Sequence, residues 1–278
     1  MLDSHCSRML RPWLRPMLRG RRFCTATTGV SVEYNSANQT ISYLRAPGRE
    51  VILIGTAHIS SSSAQEVRDM IIKERPSGVM VELCPKRIQK MRDGGLGVSP
   101  GGLGEMLKVL LRGLGSGGGL PMQGLLEQAL KGFYGNFKSM GIEPGAEFKN
   151  AMEAAEEVGA KVIAGDIDIT LTMEGLTRAL QQDWQQMLAC RELLDLDIDH
   201  SRGFMDTAEQ LKSREKAAQI NAAMRKCAPH VYEVMIEDRD RTMAGYLCRS
   251  SHRKMVGVVG MGHCVGIEKA WLEHFMNV

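Results

Sequence analysis

Residues 51–58 read VILIGTAH, and residues 254–263 read KMVGVVGMGH. Each joins a continuous apolar, β-branched run to a Gly-x-x-His tetrapeptide, Gly55 to His58 in the first and Gly260 to His263 in the second. A strand that is apolar at every position, rather than at alternate ones, is buried on both faces, as inside an α/β sheet. GVMVEL, residues 78–83, repeats the pattern, and KVIAGDIDI, residues 161–169, supplies a further strand. If that last strand persists, Asp166 and Asp168 share its parity and project together to hold a metal or divide acid and base roles; otherwise they cap the helix that follows.

Helical patterns fill the gaps. Ser60 to Ser63 offer a cap to a helix marked by Ala64, Val67, Met70 and Ile71, which ends before Pro76. Phe148, Met152, Ala155 and Val158 make an apolar stripe with acidic residues beside it. Residues 173–248 read as mostly helical with a break at Pro229, and Ile267, Trp271 and Phe275 mark a terminal helix after a glycine turn at 260–262. Residues 30–34 and 40–45 alternate enough for an edge hairpin around NSANQ. The expected fold is α/β: a mixed central β-sheet flanked by helices, with a long helical excursion, in a single domain over 30–278. Residues 94–119 hold 11 glycines and read as a flexible insertion, either a lid or a variable surface loop.

The chain has 278 residues and a formal charge of +3, but the balance is uneven. Residues 1–29 carry six arginines, no lysine and only Asp3, which leaves 29 basic against 31 acidic residues in the remainder. The body is therefore not a basic nucleic-acid binder, and no nucleic acid is expected as a partner. The arginine-rich, acidic-poor first 29 residues read as a mitochondrial transit peptide or a disordered basic tail. Cytoplasm, or the periphery of the mitochondrial outer membrane through arginine contact with anionic lipid, are the alternatives. No apolar run approaches the roughly 18–20 residues needed to span a bilayer, so no transmembrane segment is expected. The seven cysteines form no Cys-x-x-Cys pair and read as mostly reduced core residues. Homo-oligomerisation is left open.

Several site patterns fail. The Gly-rich segment lacks the Gly-Lys-Ser/Thr ending of a phosphate loop, there is no His-Glu-x-x-His, and GMGHCVG departs from the dinucleotide pattern. Asp195, Asp197, Asp199 and Asp206 are spaced like a calcium loop, but His200 replaces its turn glycine. Cys264 beside His263 reads as a packed thiol rather than a nucleophile. What remains is the pair of Gly-x-x-His elements at the ends of β-rich runs. Two imidazoles, His58 and His263, with Glu82 at the end of GVMVE, make a plausible donor set for a divalent transition metal with an open position for water. Glu82 is either a ligand or a general base, or it pairs with Arg87 to support the fold. Glu237-Asp238-Arg239-Asp240 adds an acidic run in which Glu237 and Asp240 fall together on a helix, with Glu237 the preferred acid and Arg239 an orienter.

The segments LIGTAHISSSSAQEV, RPSGVMVELCPKR, PGAEFKNAMEAAEEVGAKVIAGD, IEDRDRTMAGYL and VVGMGHCVGIEKAW together resemble the TraB-domain proteins, also described with the PrgY pheromone-shutdown family, over residues 50–274. The resemblance implies a mixed α/β fold akin to a wider group holding Tiki metalloproteases and ChaN, GumN and erythromycin-esterase-like proteins. It also implies an active centre at Gly55/His58, Gly260/His263 and Glu82, with Glu237 to Asp240 matching a characteristic segment. A family-like Gly-Asp-Arg-Pro appears here as Gly165-Asp166-Ile167-Asp168, which weakens a substrate-clamping role for that loop. The expected function is a metal-dependent hydrolase of a peptide or small amide, with a peptide or protein substrate; the competing class is a noncatalytic peptide-binding or regulatory adaptor associated with mitochondria.

Overall fold

The computed structural model describes residues 23–25, 29–34, 39–56, 61–94, 145–190 and 213–276. His58, the leader up to residue 22, the calcium-like aspartates and all of the glycine-rich insertion past Gly94 lie outside the described residues. A seven-stranded sheet runs through the described part: β1 (Phe23–Thr25), β2 (Val30–Tyr34), β3 (Ile41–Ala46), β4 (Arg49–Thr56), β5 (Gly78–Val81), β6 (Lys161–Ala164) and β7 (Lys254–Gly260). Its spatial order is β1-β2-β3-β4-β7-β5-β6. β1 to β4 pair antiparallel, whereas β4, β7, β5 and β6 are mutually parallel. The mixed α/β architecture read from the sequence is the one observed. β1 falls within the stretch read as a leader or tail, and its pairing with β2 carries the sheet back to Phe23.

The continuous apolar runs are explained by two cores on opposite faces. Val51 and Leu53 of β4, with Met255 and Val259 of β7, face one cluster; Ile52, Ile54, Val256 and Val258 face the other. A residue-by-residue alternation between two buried faces leaves no polar position, which is why these strands read as unbroken hydrophobic segments. Against the second face pack α1 (Ser61–Glu74), α2 (Pro85–Arg92) and α3 (Ala146–Val158), through Val67, Ile71, Ile88 and Phe148. Against the first pack α7 (Asp238–Arg249) and α8 (Met261–Met276), through Met243, Leu247, Ile267 and Trp271. A smaller cluster joins α4 (Ile169–Ala189) to α6 (Pro229–Tyr232), and α5 (Arg214–Cys227) lies between this region and α8. The long helical region is thus present, as expected.

Two boundaries differ from the sequence reading, the end of β6 and the turn at 260–262. The strand at 161–169 stops at Ala164; the Gly165 amide still bonds the Val81 carbonyl at 3.0 Å, and a side chain on Gly165 would lie 2.6 Å from Met80 Cγ. Asp168 consequently caps α4, accepting from the Thr170 amide at 2.8 Å, and does not share a strand face with Asp166. The break read at Pro229 is present: α5 ends at Cys227, and Pro229 opens the next helix, since its missing N–H costs nothing in the first turn. The glycine turn at 260–262 is absent: α8 begins at Met261, directly after β7, so His263 sits in the first turn of a helix.

One cysteine pair departs from the expected reduced state, while Cys84, Cys248 and Cys264 fit it. Cys190, which caps α4, is disulfide-bonded to Cys227 at the end of α5. Cys84, Cys248 and Cys264 are buried and free.

Trp271 is fully buried in the core between α8 and the sheet, with its ring 4.6 Å from that of Phe275. Trp271→Ala is expected to lower the unfolding free energy by about 3–5 kcal/mol, read from urea denaturation of the full chain.

Candidate functional site

All four parallel strands end on one edge of the sheet, and β7, the last strand in the chain, enters between β4 and β5. In an open α/β sheet, a crevice forms outside the carboxyl ends where strand order changes direction. Thr56, Glu82, the Gly165-Asp166 pair and Gly260 stand at that edge. Register places Gly55 opposite Val259 and Thr56 opposite Gly260, so the two Gly-x-x-His elements start side by side. Gly55 has no room for a side chain: a Cβ would fall 2.7 Å from Cys264 Sγ and 2.8 Å from Met261 Cε. The first glycine thus admits the first turn of α8 against the end of β4.

Glu82 follows β5 and is buried. Its Oε2 accepts the Gly260 amide at 2.6 Å, just ahead of α8, so the carboxylate also meets the positive end of that helix. Its Oε1 accepts from Arg239 Nη2 and lies 3.3 Å from His263 Nε2. Arg239 grips Asp166 in a fork, Nε to Oδ1 at 2.9 Å and Nη2 to Oδ2 at 3.0 Å. Arg239 thus bridges the Glu82 and Asp166 carboxylates, and Arg87 reaches Asp166 at 3.6 Å and the Glu82 backbone carbonyl at 3.5 Å. On the far side of the imidazole, His263 Nδ1 donates to Asp240 Oδ1 at 2.7 Å. Among the described residues, no buried side-chain polar atom lacks a partner.

Glu237 does not join this group. It faces outward and pairs with Arg225 at 2.7 Å and Arg241 at 3.3 Å. A π-helical turn over Glu233–Glu237 leads into α7, and Glu237 at the junction stays on the outer side of the helix while Asp240, three residues on, lies on the buried side. Arg239 and Asp240 are the members of the acidic run that turn inward, both buried. Asp240 was legible as part of the run, but not as the histidine's partner; the nearest signal is the Asp240–His263 pairing of two helix first turns, which needs tertiary contact. The same approach depends on Gly266, where a Cβ would fall 1.8 Å from Asp240 Oδ2.

A cavity of about 300 Å³ opens over these groups. It is lined by Glu82, Arg239 and His263, by a wall of Ala217, Ile220 and Asn221 from α5, and by Thr56 with Gly260 to Gly262. Asn221 Nδ2 donates to the Gly262 carbonyl at 2.8 Å, tying that wall to the residue before His263. His58 lies outside the described residues; Thr56, two positions earlier in its strand, lines the cavity. Among the described residues no three His, Cys, Asp or Glu side chains are grouped to hold a metal ion. Lys86 binds Asp168 at 2.9 Å on the exterior, which completes the separation of Asp168 from the cavity.

Electrostatics favour a charged imidazole. Burial alone would lower the His263 pKa, but the Glu82 charge and the hydrogen bonds to Asp240 and Glu82 outweigh it and raise the value to about 9. Burial pushes the Asp240 carboxyl up, opposed by its hydrogen bond from His263. The Cys264 thiol is driven by burial to about 12, which removes it as a thiolate nucleophile near neutral pH.

A buried carboxylate–imidazole–guanidinium cluster at the carboxyl ends of parallel strands defines an α/β protein with a polar ligand crevice. The chain belongs to the TraB/PrgY/gumN family, whose profile matches residues 141–272. It is 32% identical over 227 residues to an uncharacterized protein of Methanocaldococcus jannaschii, covering 78% of this chain and 52% of that one. It is 32% identical over 259 residues to a human TraB domain-containing protein, and 30% identical over 259 residues to the mouse one, in each case covering 84% of this chain and 66% of the relative. The chain thus spans between about half and two thirds of the length of these curated relatives. Among the described residues no helix is long and apolar enough to cross a membrane.

Two measurements test the geometry. A histidine whose folded pKa is about 9, against about 6.5 when unfolded, adds stability that is complete below pH 6.5 and lost as pH rises through 9. In chelator-treated protein, stability should therefore fall across that window, and the fall should be absent from His263→Gln; a parallel decline in the variant rejects the assignment. Gly266→Ala should displace Asp240 and lower the His263 pKa by about one unit or more, seen in the nitrogen-15 shifts of the ring.

Proposed function

We propose that the crevice is the centre of a divalent-metal-dependent hydrolase acting on a peptide or small amide. The observation that carries the reading is the setting of His263: its Nδ1 is held by Asp240 while its Nε2 turns toward Glu82 Oε1, 3.3 Å away. Those two atoms lie close enough that His263 and Glu82 would hold one divalent ion between them, and a carboxylate behind the other ring nitrogen is the usual support of a metal-bound histidine. Nitrogen and carboxylate oxygen are the donors such an ion takes, and His58 is proposed as a further ligand. A bound divalent ion would polarise an amide carbonyl and lower the pKa of a coordinated water.

The chain's own groups supply the rest. Without an ion His263 is charged; a bound ion would take the place of the Nε2 proton, and Asp240 would then hold the remaining proton on Nδ1 and leave the Nε2 lone pair facing the crevice. Arg239 and the Gly260 amide orient Glu82, which serves as ligand or as the base that takes a proton from water. The guanidinium also offsets negative charge that develops on the amide oxygen. Asp240 takes the supporting acidic part that the sequence reading gave to Glu237. Ala217 and Ile220 give the substrate an apolar surface. The shared pair of Gly-x-x-His elements supports extending this chemistry to a relationship with the Tiki metalloproteases. The arginine-rich first 29 residues support mitochondrial delivery; a reporter fused to residues 1–35 should concentrate in mitochondria, and a diffuse cytosolic signal rejects that part.

A second reading has its own support. The charges of Glu82 and Asp166 are already met by Arg239, so the cluster is complete as an ion-pair network, and the crevice then serves a noncatalytic adaptor that binds peptide. Metal analysis of the full chain after incubation with zinc, manganese or cobalt, followed by hydrolysis of a peptide library, separates the two. The hydrolase reading expects a bound ion, cleavage abolished by chelator, and a metal affinity about 10–100-fold weaker in Asp240→Asn. Peptide binding that survives chelation without turnover selects the adaptor.

A further inference from the structure

We propose that the Cys190–Cys227 disulfide is a redox-sensitive tether that sets the position of α5 and, through it, the wall that Ala217, Ile220 and Asn221 give the crevice. The inference goes beyond the hydrolase reading and holds whichever chemistry the crevice performs. α5 supplies Ala217, Ile220 and Asn221 to that wall. Yet its buried side chains are only Ala217, Ala223 and Cys227, so little apolar area seats the helix. An element with few buried contacts opens at low free energy unless something else pins it.

Specific bonds do the pinning. At the first residue of α5, Arg214 binds Glu268 of α8 through two contacts of 3.1 and 2.8 Å, reaches Ser42 of β3, and donates to the Gln39 carbonyl at 2.7 Å. In the middle, Asn221 holds the Gly262 carbonyl at 2.8 Å. At the last residue the bond from Cys227 to Cys190 joins α5 to the end of α4. Other ties at this end include Gln186 to the Lys226 carbonyl, the packing of Met224 against the α4–α6 cluster, and the contacts of Arg225 with Glu237 and Tyr232, in which Arg225 is largely exposed. Exposed ion pairs contribute little to holding a helix in place. Cys227 is fully buried, whereas Cys190 is only half-buried. The free state of Cys84, Cys248 and Cys264 indicates that this bond is not one of a set of staples for the fold, in contrast to a small disulfide-dependent domain.

A protein dithiol of the Cys-x-x-Cys class supplies the two electrons. Its thiolate attacks Cys190 Sγ, the more exposed sulfur; the S–S bond breaks, and Cys227 departs as a thiolate and takes up a proton. The reductant's second thiol, after losing its proton, then displaces Cys190, which is also protonated, and the reductant is left as a disulfide. Reduced α5 keeps its Arg214 clamp and loses its far anchor, so the half that carries Asn221 loosens from Gly262, beside His263.

Hydrogen–deuterium exchange of the full chain, oxidised and then reduced by a dithiol, tests this without a metal, a substrate or turnover. Amides of 220–227 and of 261–264 should exchange about tenfold faster or more once the bond is reduced, and Cys190→Ser should match the reduced protein. The reduced wild type provides the same comparison should that variant fold poorly. Equal exchange in the two states, with both thiols confirmed by alkylation and mass, overturns the proposal. Recovery of Cys190 and Cys227 as free thiols from oxidant-treated protein does so as well.

Discussion

The carboxylate of Glu82 is the group on which the described site converges. A buried charge is costly unless it is paired and fully hydrogen-bonded, and here one oxygen meets the amide that leads into α8 while the other meets Arg239 and faces His263. Arg239 extends the pairing to Asp166, and His263 extends it to Asp240. Strands β5, β6 and β7 and helices α7 and α8 are thereby joined by a single network whose members each depend on the others for their charge balance. Loss of any one leaves a buried partner unmatched, which is more damaging than the absence of the whole set.

The backbone brings these groups within reach by close approach. β7 is the last strand made and lies between two that precede it, so the helix after it starts beside both the end of β4 and the end of β5. Glycine at 55 lets α8 settle on β4, and glycine at 266 lets α7 bring Asp240 against α8; larger residues would collide at either point. The π-helical turn ahead of α7 sits next to the cluster, a common place for this irregularity because it changes which residues face inward.

Much of the fold was legible in the chain because double-sided burial leaves an unmistakable trace. VILIG, GVMV and KMVGVVG are apolar at each position since alternate residues enter two different cores. The adjacency of the two Gly-x-x-His elements followed from seeing each at the end of such a run, and the register of Gly55 and Thr56 with Val259 and Gly260 agrees at the level of the strands. Glu82 was legible for the same reason, as the first charged residue after a buried strand. Less visible were the partners. Glu237 and Asp240 look alike in sequence, and a regular helix puts them near one another; only the packing of α7 on α8 leaves one toward solvent and sends the other to His263. The Cys190–Cys227 bond was hidden similarly, since 37 residues of chain separate two cysteines that share no motif.

Composition, periodicity and motif order by themselves determined the α/β class, the strands that carry the site, and the residue types available at their ends. These are local properties: a strand's burial and a turn's glycine are written in neighbouring residues. Which carboxylate pairs with which cation, which histidine nitrogen faces the crevice, and which cysteines meet were decided only by the tertiary structure. Those choices depend on distances between segments far apart in the chain, and a shift of one helical position, about 100° around the axis, is enough to exchange an exposed acid for a buried one.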